Sequence, residues 1–152
     1  MSLRVIVFLI LNFAALGIGG MFTGSGVSSD WYAELNKAPW TPPGWVFGAA
    51  WTFIMVCFAF FMSYCWEAAS HKKTIAGLYV VQWLLNVAWN PLFFSAHNIL
   101  ISLVVIGLLT LVITYCLIGI KLEPRLKHLL VVPYFIWLLI ATSLNAYIYV
   151  YN

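Results

Sequence analysis

WYAELNKAPWTPPGWVFGAAW, residues 31–51, decides how this chain reads. It holds four of the eight tryptophans and three of the six prolines, with Glu34 and Lys37 as its charges. It is too polar and too broken by proline to cross a bilayer. Yet it lies between two apolar runs long enough to do so. A loop this aromatic, held against membrane spans, reads as a lid or a binding surface. The rest of the chain reads as the scaffold beneath it.

The 152 residues are 64% hydrophobic and 7% charged, with mean hydropathy +1.01. Soluble domains carry roughly 25% charged residues. No soluble fold of this size could hide so much apolar surface, so the composition is that of an integral membrane protein. The net charge of +3 gives no reason to expect nucleic acid. Cys57, Cys65 and Cys116 fall inside apolar runs without a CxxC pair, which reads as buried thiols rather than a disulfide framework or metal knuckle.

Working outward from the loop, five apolar runs approach the ~20 residues a spanning helix needs. They are 5–22, 45–66, 74–96, 99–120 and 129–151. Backbone groups in lipid must be satisfied within the segment, so these are helices. The expected fold is all-α: a single bundle of five transmembrane helices, 1–152, with 23–44 as a pocket lid. The first run also has the layout of a secretory signal, but its apolar stretch is longer than a usual signal core. Arg4, Lys72, Lys73, Lys121, Arg125 and Lys127 fall on one side of this arrangement and Lys37 alone on the other. For a bacterial inner membrane that places the N-terminus in the cytoplasm and the C-terminus outside.

Within the loop, Ser28, Ser29 and Asp30 are suited to cap a short helix over 31–36. Thr41-Pro42-Pro43 is suited to start the second span. An interfacial aromatic belt accounts for Trp31, Trp45 and the tyrosines at 147, 149 and 151. It does not account for a structured connection of this length.

Gln82, Asn86 and Asn90 recur every four residues and form one drifting stripe on a helix. Amides in hydrocarbon are costly unless paired, so the stripe should face the bundle interior. Helix–helix glue, worth ~0.6 kcal/mol per contact, is the competing reading for Gln82 and Asn86. Asn90 is the better site candidate by depth. Pro133, Trp137, Ala141 and Asn145 repeat the spacing in the fifth span. At ~1.5 Å per residue, Trp51, Asn90 and Asn145 lie about 10 Å below the outer helix ends. Met55 and Ala141 lie about 15 Å down by the same rise, and Trp137 about 21 Å. The first span supplies Ala15, Gly17, Gly19 and Gly20 at that level, with Ala15 and Gly19 as a small-xxx-small pair. The expectation is an apolar, aromatic cavity open to the outer face and suited to a flat hydrophobic ligand, with Trp51 and Trp137 facing it together.

Conventional catalytic chemistry has no foothold. Asp30, Glu34, Glu67 and Glu123 read as loop residues, and His71, His97 and His128 are scattered. There is no metal-ligand spacing, no nucleophile beside a base and no phosphate loop. His97, at the mouth of the third span, reads as a solvated loop histidine before it reads as a ligand to haem iron.

The sequence resembles the family of tryptophan-rich sensory proteins and translocator proteins, also called peripheral-type benzodiazepine receptors. Three groups of residues carry the resemblance: Trp31-Tyr32 with Leu35, Lys37, Trp40, Pro42-Pro43, Trp45, Phe47 and Trp51; Gln82, Leu85-Asn86, Trp89, Pro91 and Phe93-Phe94; and Pro133-Tyr134, Trp137, Ala141-Thr142 and Leu144-Asn145. It implies a dimeric five-helix membrane bundle that binds porphyrins such as protoporphyrin and haem, and isoquinoline or benzodiazepine drugs. No cofactor is required; porphyrin or haem would be the ligand. It places the pocket at Tyr32, Trp40, Pro42, Trp51, Asn90, Phe93, Trp137 and Ala141, to which depth adds Met55 and Asn145. Trp51 and Trp137 match tryptophans implicated in light-driven porphyrin breakdown by bacterial members. The family's Lys-Pro pair is interrupted here by Ala38. The sterol motif of animal members is missing, since no Lys or Arg follows Lys127. Three functions follow as expectations: a porphyrin receptor or translocator, a light- and oxygen-dependent porphyrin degrader, and a regulatory membrane protein acting through a partner.

Overall fold

The computed structural model describes residues 3–152. They form six α-helices: α1 (Leu3–Val27), α2 (Asp30–Glu34), α3 (Gly44–Ala68), α4 (Lys72–Phe94), α5 (Ile99–Ile118) and α6 (Val132–Tyr151). A 3₁₀ turn, Arg125–Leu130, precedes α6. α1 packs between α3 and α4, α4 against α5, and α5 against α6; α3 meets α6 and α4 more sparingly.

Four segments are long and apolar enough to cross a membrane: Leu3–Val27, Gly44–Ala68, Ile99–Ile118 and Arg125–Tyr151. These are four of the five expected spans. α4 is as long as the others but less apolar, because Gln82, Asn86, Asn90 and Pro91 interrupt it.

Helix ends shift by up to three residues elsewhere, α6 for example starting at Val132 rather than 129, and three differences bear on the lid. α1 does not stop at Phe22 but continues through Thr23, Gly24, Ser25 and Gly26. The hydroxyls explain this. Thr23 donates to the Gly19 carbonyl at 3.0 Å and Ser25 to that of Met21 at 3.2 Å, so both are satisfied inside the helix. α2 is shorter than 31–36. Ser29 caps it, its hydroxyl accepting from the Tyr32 N–H at 3.2 Å, but the chain turns extended at Leu35. Pro42 and Pro43 precede α3 rather than forming its first turn, with Pro43 at the N-cap. Glu67, read as a loop residue, sits near the end of α3 and pairs with Arg4 at 3.6 Å.

The half of the bundle away from the lid is solid. Ile54, Met55, Phe58, Ala59, Phe61, Met62, Ile113, Tyr134 and Leu138 are all at most 2% exposed. Two polar joints cross this core. Asn12 donates to the Met55 carbonyl at 2.9 Å and accepts from the Tyr79 hydroxyl at 2.7 Å. Gln82 donates to the Tyr134 hydroxyl at 2.8 Å. Gln82 therefore acts as glue between α4 and α6.

Candidate functional site

Toward the lid the helices part around a cavity of about 590 Å³. α1 contributes small residues, Ala15, Gly19 and Gly20, together with Thr23. α3 contributes Phe47 and Trp51, and α4 contributes Asn86, Trp89, Asn90 and Phe93. α6 adds Ala141, Leu144, Asn145 and Ile148; Tyr32, Lys37 and Pro42 come from the loop above. Aromatic walls form because α4 presents Trp89 and Phe93 one turn apart, their rings stacked at 5.1 Å.

Seven of the residues chosen from sequence therefore meet at one cavity: Tyr32, Pro42, Trp51, Asn90, Phe93, Ala141 and Asn145. Three do not. Met55 is 1% exposed and belongs to the packed core below. Trp40 lies outside, over α6, where its indole N–H donates to Ser143 at 3.2 Å and its ring meets Tyr147 edge-on at 5.4 Å. Trp137 packs edge-on against Phe47 at 5.3 Å and lines a separate shallow groove with Ala50, Phe53, Pro133 and Ile136. The expected stack of Trp51 over Trp137 is thus corrected. Trp51 instead packs edge-on against Tyr134 at 5.7 Å. The reason is helical drift: an eight-residue step from Asn145 to Trp137 turns the side chain by about 80° away from the cavity face.

The amides also divide in a way the sequence did not indicate. Asn90 accepts from the Thr23 hydroxyl at 2.7 Å, sharing that proton with the Gly19 carbonyl, and donates to the Asn86 carbonyl at 3.3 Å. Asn145 accepts from the Trp89 indole at 3.0 Å and donates to the Ile99 carbonyl at 3.2 Å. Both are joints as well as wall. Asn86, 8% exposed and on the cavity, makes no side-chain hydrogen bond with any described residue. It is the one cavity amide without a side-chain partner among the described residues. Sequence reading also passed over Lys37, Phe47 and Trp89 as site residues. The signal for Trp89 and Phe93 together was their four-residue spacing.

The loop is fastened as a lid at three places. Trp31 stacks on His97 at 4.0 Å and meets Phe93 edge-on at 5.5 Å. His97 adopts φ 52° in the turn between α4 and α5, so its ring faces the lid and does not line the cavity. Asn36 forms a reciprocal clamp with Asn152, its N–H donating to the Asn152 side chain at 2.9 Å and its carbonyl accepting from it at 3.3 Å. Trp40 is the third fastening. Burial pushes the Tyr32 phenol above its ordinary range, so it faces the cavity as a neutral hydroxyl.

Fold and site define a class: an integral membrane helical bundle enclosing a ligand-sized apolar cavity beneath an aromatic lid. The sequence pattern of the TspO/MBR family matches residues 6–150, and the chain belongs to that family. It is 32% identical over 153 residues to the tryptophan-rich protein TspO of Archaeoglobus fulgidus, covering 100% of this chain and 99% of that one. It is 30% identical over 138 residues to the tryptophan-rich sensory protein of Cereibacter sphaeroides, covering 90% and 87%. It is 32% identical over 134 residues to the human translocator protein, covering 83% and 79%.

Proposed function

We propose that the protein is a dimeric membrane receptor or translocator that binds porphyrins, protoporphyrin or haem among them, in the cavity beneath the lid. The observation that carries this reading is the cavity itself. Its volume falls within the ~300–1,000 Å³ of small-molecule sites, and its walls offer flat aromatic faces with few free polar groups. α4 is the fifth span in this reading. Its 23 residues reach about 35 Å, and it lies between two helices that are themselves long and apolar enough to span. No histidine, cysteine or methionine is among the residues lining the cavity, so in this reading haem would be held through its ring rather than by one of those side chains on its iron. Absorbance titration of the purified protein with protoporphyrin, first in darkness, should show saturable binding at one site per chain. Repetition under light separates a binder, whose spectrum persists, from a degrader, whose spectrum bleaches. Linear, unsaturable uptake equal to that of empty detergent would sink the reading.

For a bacterial inner membrane, six basic residues against one motivate an orientation with the N-terminus in the cytoplasm and the lid outside. A membrane-impermeant thiol reagent added from outside should label a cysteine placed at 37 and spare one placed at 72. The reverse pattern would invert the protein.

A further inference from the structure

We propose that the face opposite the lid carries a binding site for an anionic phospholipid, built on the loop that joins α5 to α6. The site does not depend on what fills the cavity.

The charges of this chain are unevenly placed. The lid face carries Lys37 against Asp30 and Glu34. The opposite face carries Arg4, Lys72, Lys73, Lys121, Arg125 and Lys127 against Glu67 and Glu123. Two of these six cations are already engaged. Arg4 pairs with Glu67 at 3.6 Å. Lys127 donates to the Glu123 carbonyl at 2.7 Å and lies 4.7 Å over the Tyr64 ring. Lys121 and Arg125 are exposed, and neither side chain makes an ion pair or a hydrogen bond with any described residue.

The loop that carries them is a fixed frame. The His128 ring faces the Ile120 carbonyl through Nε2 at 2.9 Å and the Arg125 carbonyl through Nδ1 at 3.1 Å, which closes the segment 120–128 on itself. The same ring meets Phe61 of α3 edge-on at 6.0 Å, and Leu122 is 2% exposed. Lys121 and Arg125 therefore belong to one small loop whose backbone is already in place.

Side chains three apart eclipse in a 3₁₀ turn, so Arg125–Leu130 presents three ridges. Lys127 and Leu130 form the ridge on the bundle side, over Tyr64 and against the core. Leu126 and Leu129 form an outward ridge, 72% and 59% exposed. Two bare leucines beside two unanswered cations, where the chain enters α6, match the two parts of a lipid. The acyl chain covers the leucine ridge, and the phosphate meets the Arg125 guanidinium and the Lys121 ammonium. A soluble anion would answer the cations and leave Leu126 and Leu129 in water.

The test is native mass spectrometry of the purified protein with phosphatidylglycerol and phosphatidylcholine of the same acyl chains. Each basic residue near an anionic lipid surface is worth about fivefold in affinity. The parent should prefer phosphatidylglycerol, and Lys121→Gln with Arg125→Gln should remove about tenfold of that preference or more. Neither side chain has a partner to lose, so this double variant should melt with the parent in detergent. Lys72→Gln with Lys73→Gln removes the same charge from the same face, at the start of α4, and should leave most of the preference in place. Glycerophosphoglycerol, the same headgroup without acyl chains, should not displace the lipid. An unchanged preference in Lys121→Gln with Arg125→Gln would overturn the site. Equal losses in the two double variants would also overturn it, by reducing the loop to part of a diffuse field. Displacement by glycerophosphoglycerol would leave a site for soluble phosphodiesters and overturn the lipid assignment.

Discussion

Trp51→Ala should lower protoporphyrin affinity at least tenfold, whereas Trp137→Ala should change it little while lowering thermal stability. The two tryptophans looked equivalent in sequence, but the structure puts only Trp51 on the cavity. A buried aromatic side chain covers ~150–250 Å², and stacking against another ring adds ~0.5–1.5 kcal/mol. Removing Trp51 takes away a wall and also uncovers Tyr134, its edge-on partner. Trp137 is 7% exposed, and the Phe47 ring against it lines the cavity in its place. Truncating Trp137 leaves a void behind Phe47, a change read first in melting temperature. Phenylalanine variants separate wall from redox chemistry. If light bleaches a bound porphyrin through a cavity indole, Trp51→Phe should keep most of the binding and lose bleaching, and Trp137→Phe should keep both. Equal loss of affinity in the two alanine variants, with melting temperatures unchanged, would mean that both indoles touch the ligand.

Gly26→Ala should be the most damaging single methyl in the lid half of the bundle. A Cβ at Gly26 would fall about 2.5 Å from both Cβ and Cγ of Phe94. Phe94 cannot swing aside, because its Cβ is fixed to the α4 backbone and its ring is wedged by Tyr32, Trp89 and Phe93. α1 and α4 must separate instead. Overpacking of this kind costs about 1–3 kcal/mol, which corresponds to about 5 °C in melting temperature for a chain of this size. Gly20→Ala is the control: it too lies on α1, but it faces the cavity, and a Cβ there meets nothing within 4 Å. It should melt with the parent. Equal melting of all three proteins would show that the two helices are not in register at this level.

Four of the five expected spans were legible because some twenty apolar residues in a row admit few other readings. The cavity's α4 wall was legible because Asn90 and Phe93 share a helix face with Gln82 and Asn86. Trp137 was not, because four-residue spacing drifts: Asn145 and Ala141 keep the face and Trp137 has left it. The Thr23–Gly26 extension of α1 was hidden by composition, since serine, threonine and glycine read as an exit until their hydroxyls are seen bonding back into the helix. The Asn36–Asn152 clamp joins residues at distant points in the chain, and no local pattern announces it. Lys37 was read as an orientation signal and as part of the family resemblance, because its place on the cavity becomes visible only when the loop is folded over the bundle.

The packing below the cavity bears on what the protein can deliver to a cell. Phe58, Phe61, Met62 and Leu138, none more than 1% exposed, fill the half of the bundle away from the lid, so in this conformation the space under the lid is a cul-de-sac. A blind chamber of this size has a capacity rather than a throughput. If the cavity binds porphyrin as proposed, each chain withdraws one molecule from the free pool and holds it. The effect on free ligand then scales with how many copies the cell makes, as it does for a buffer, and saturates when the copies are filled.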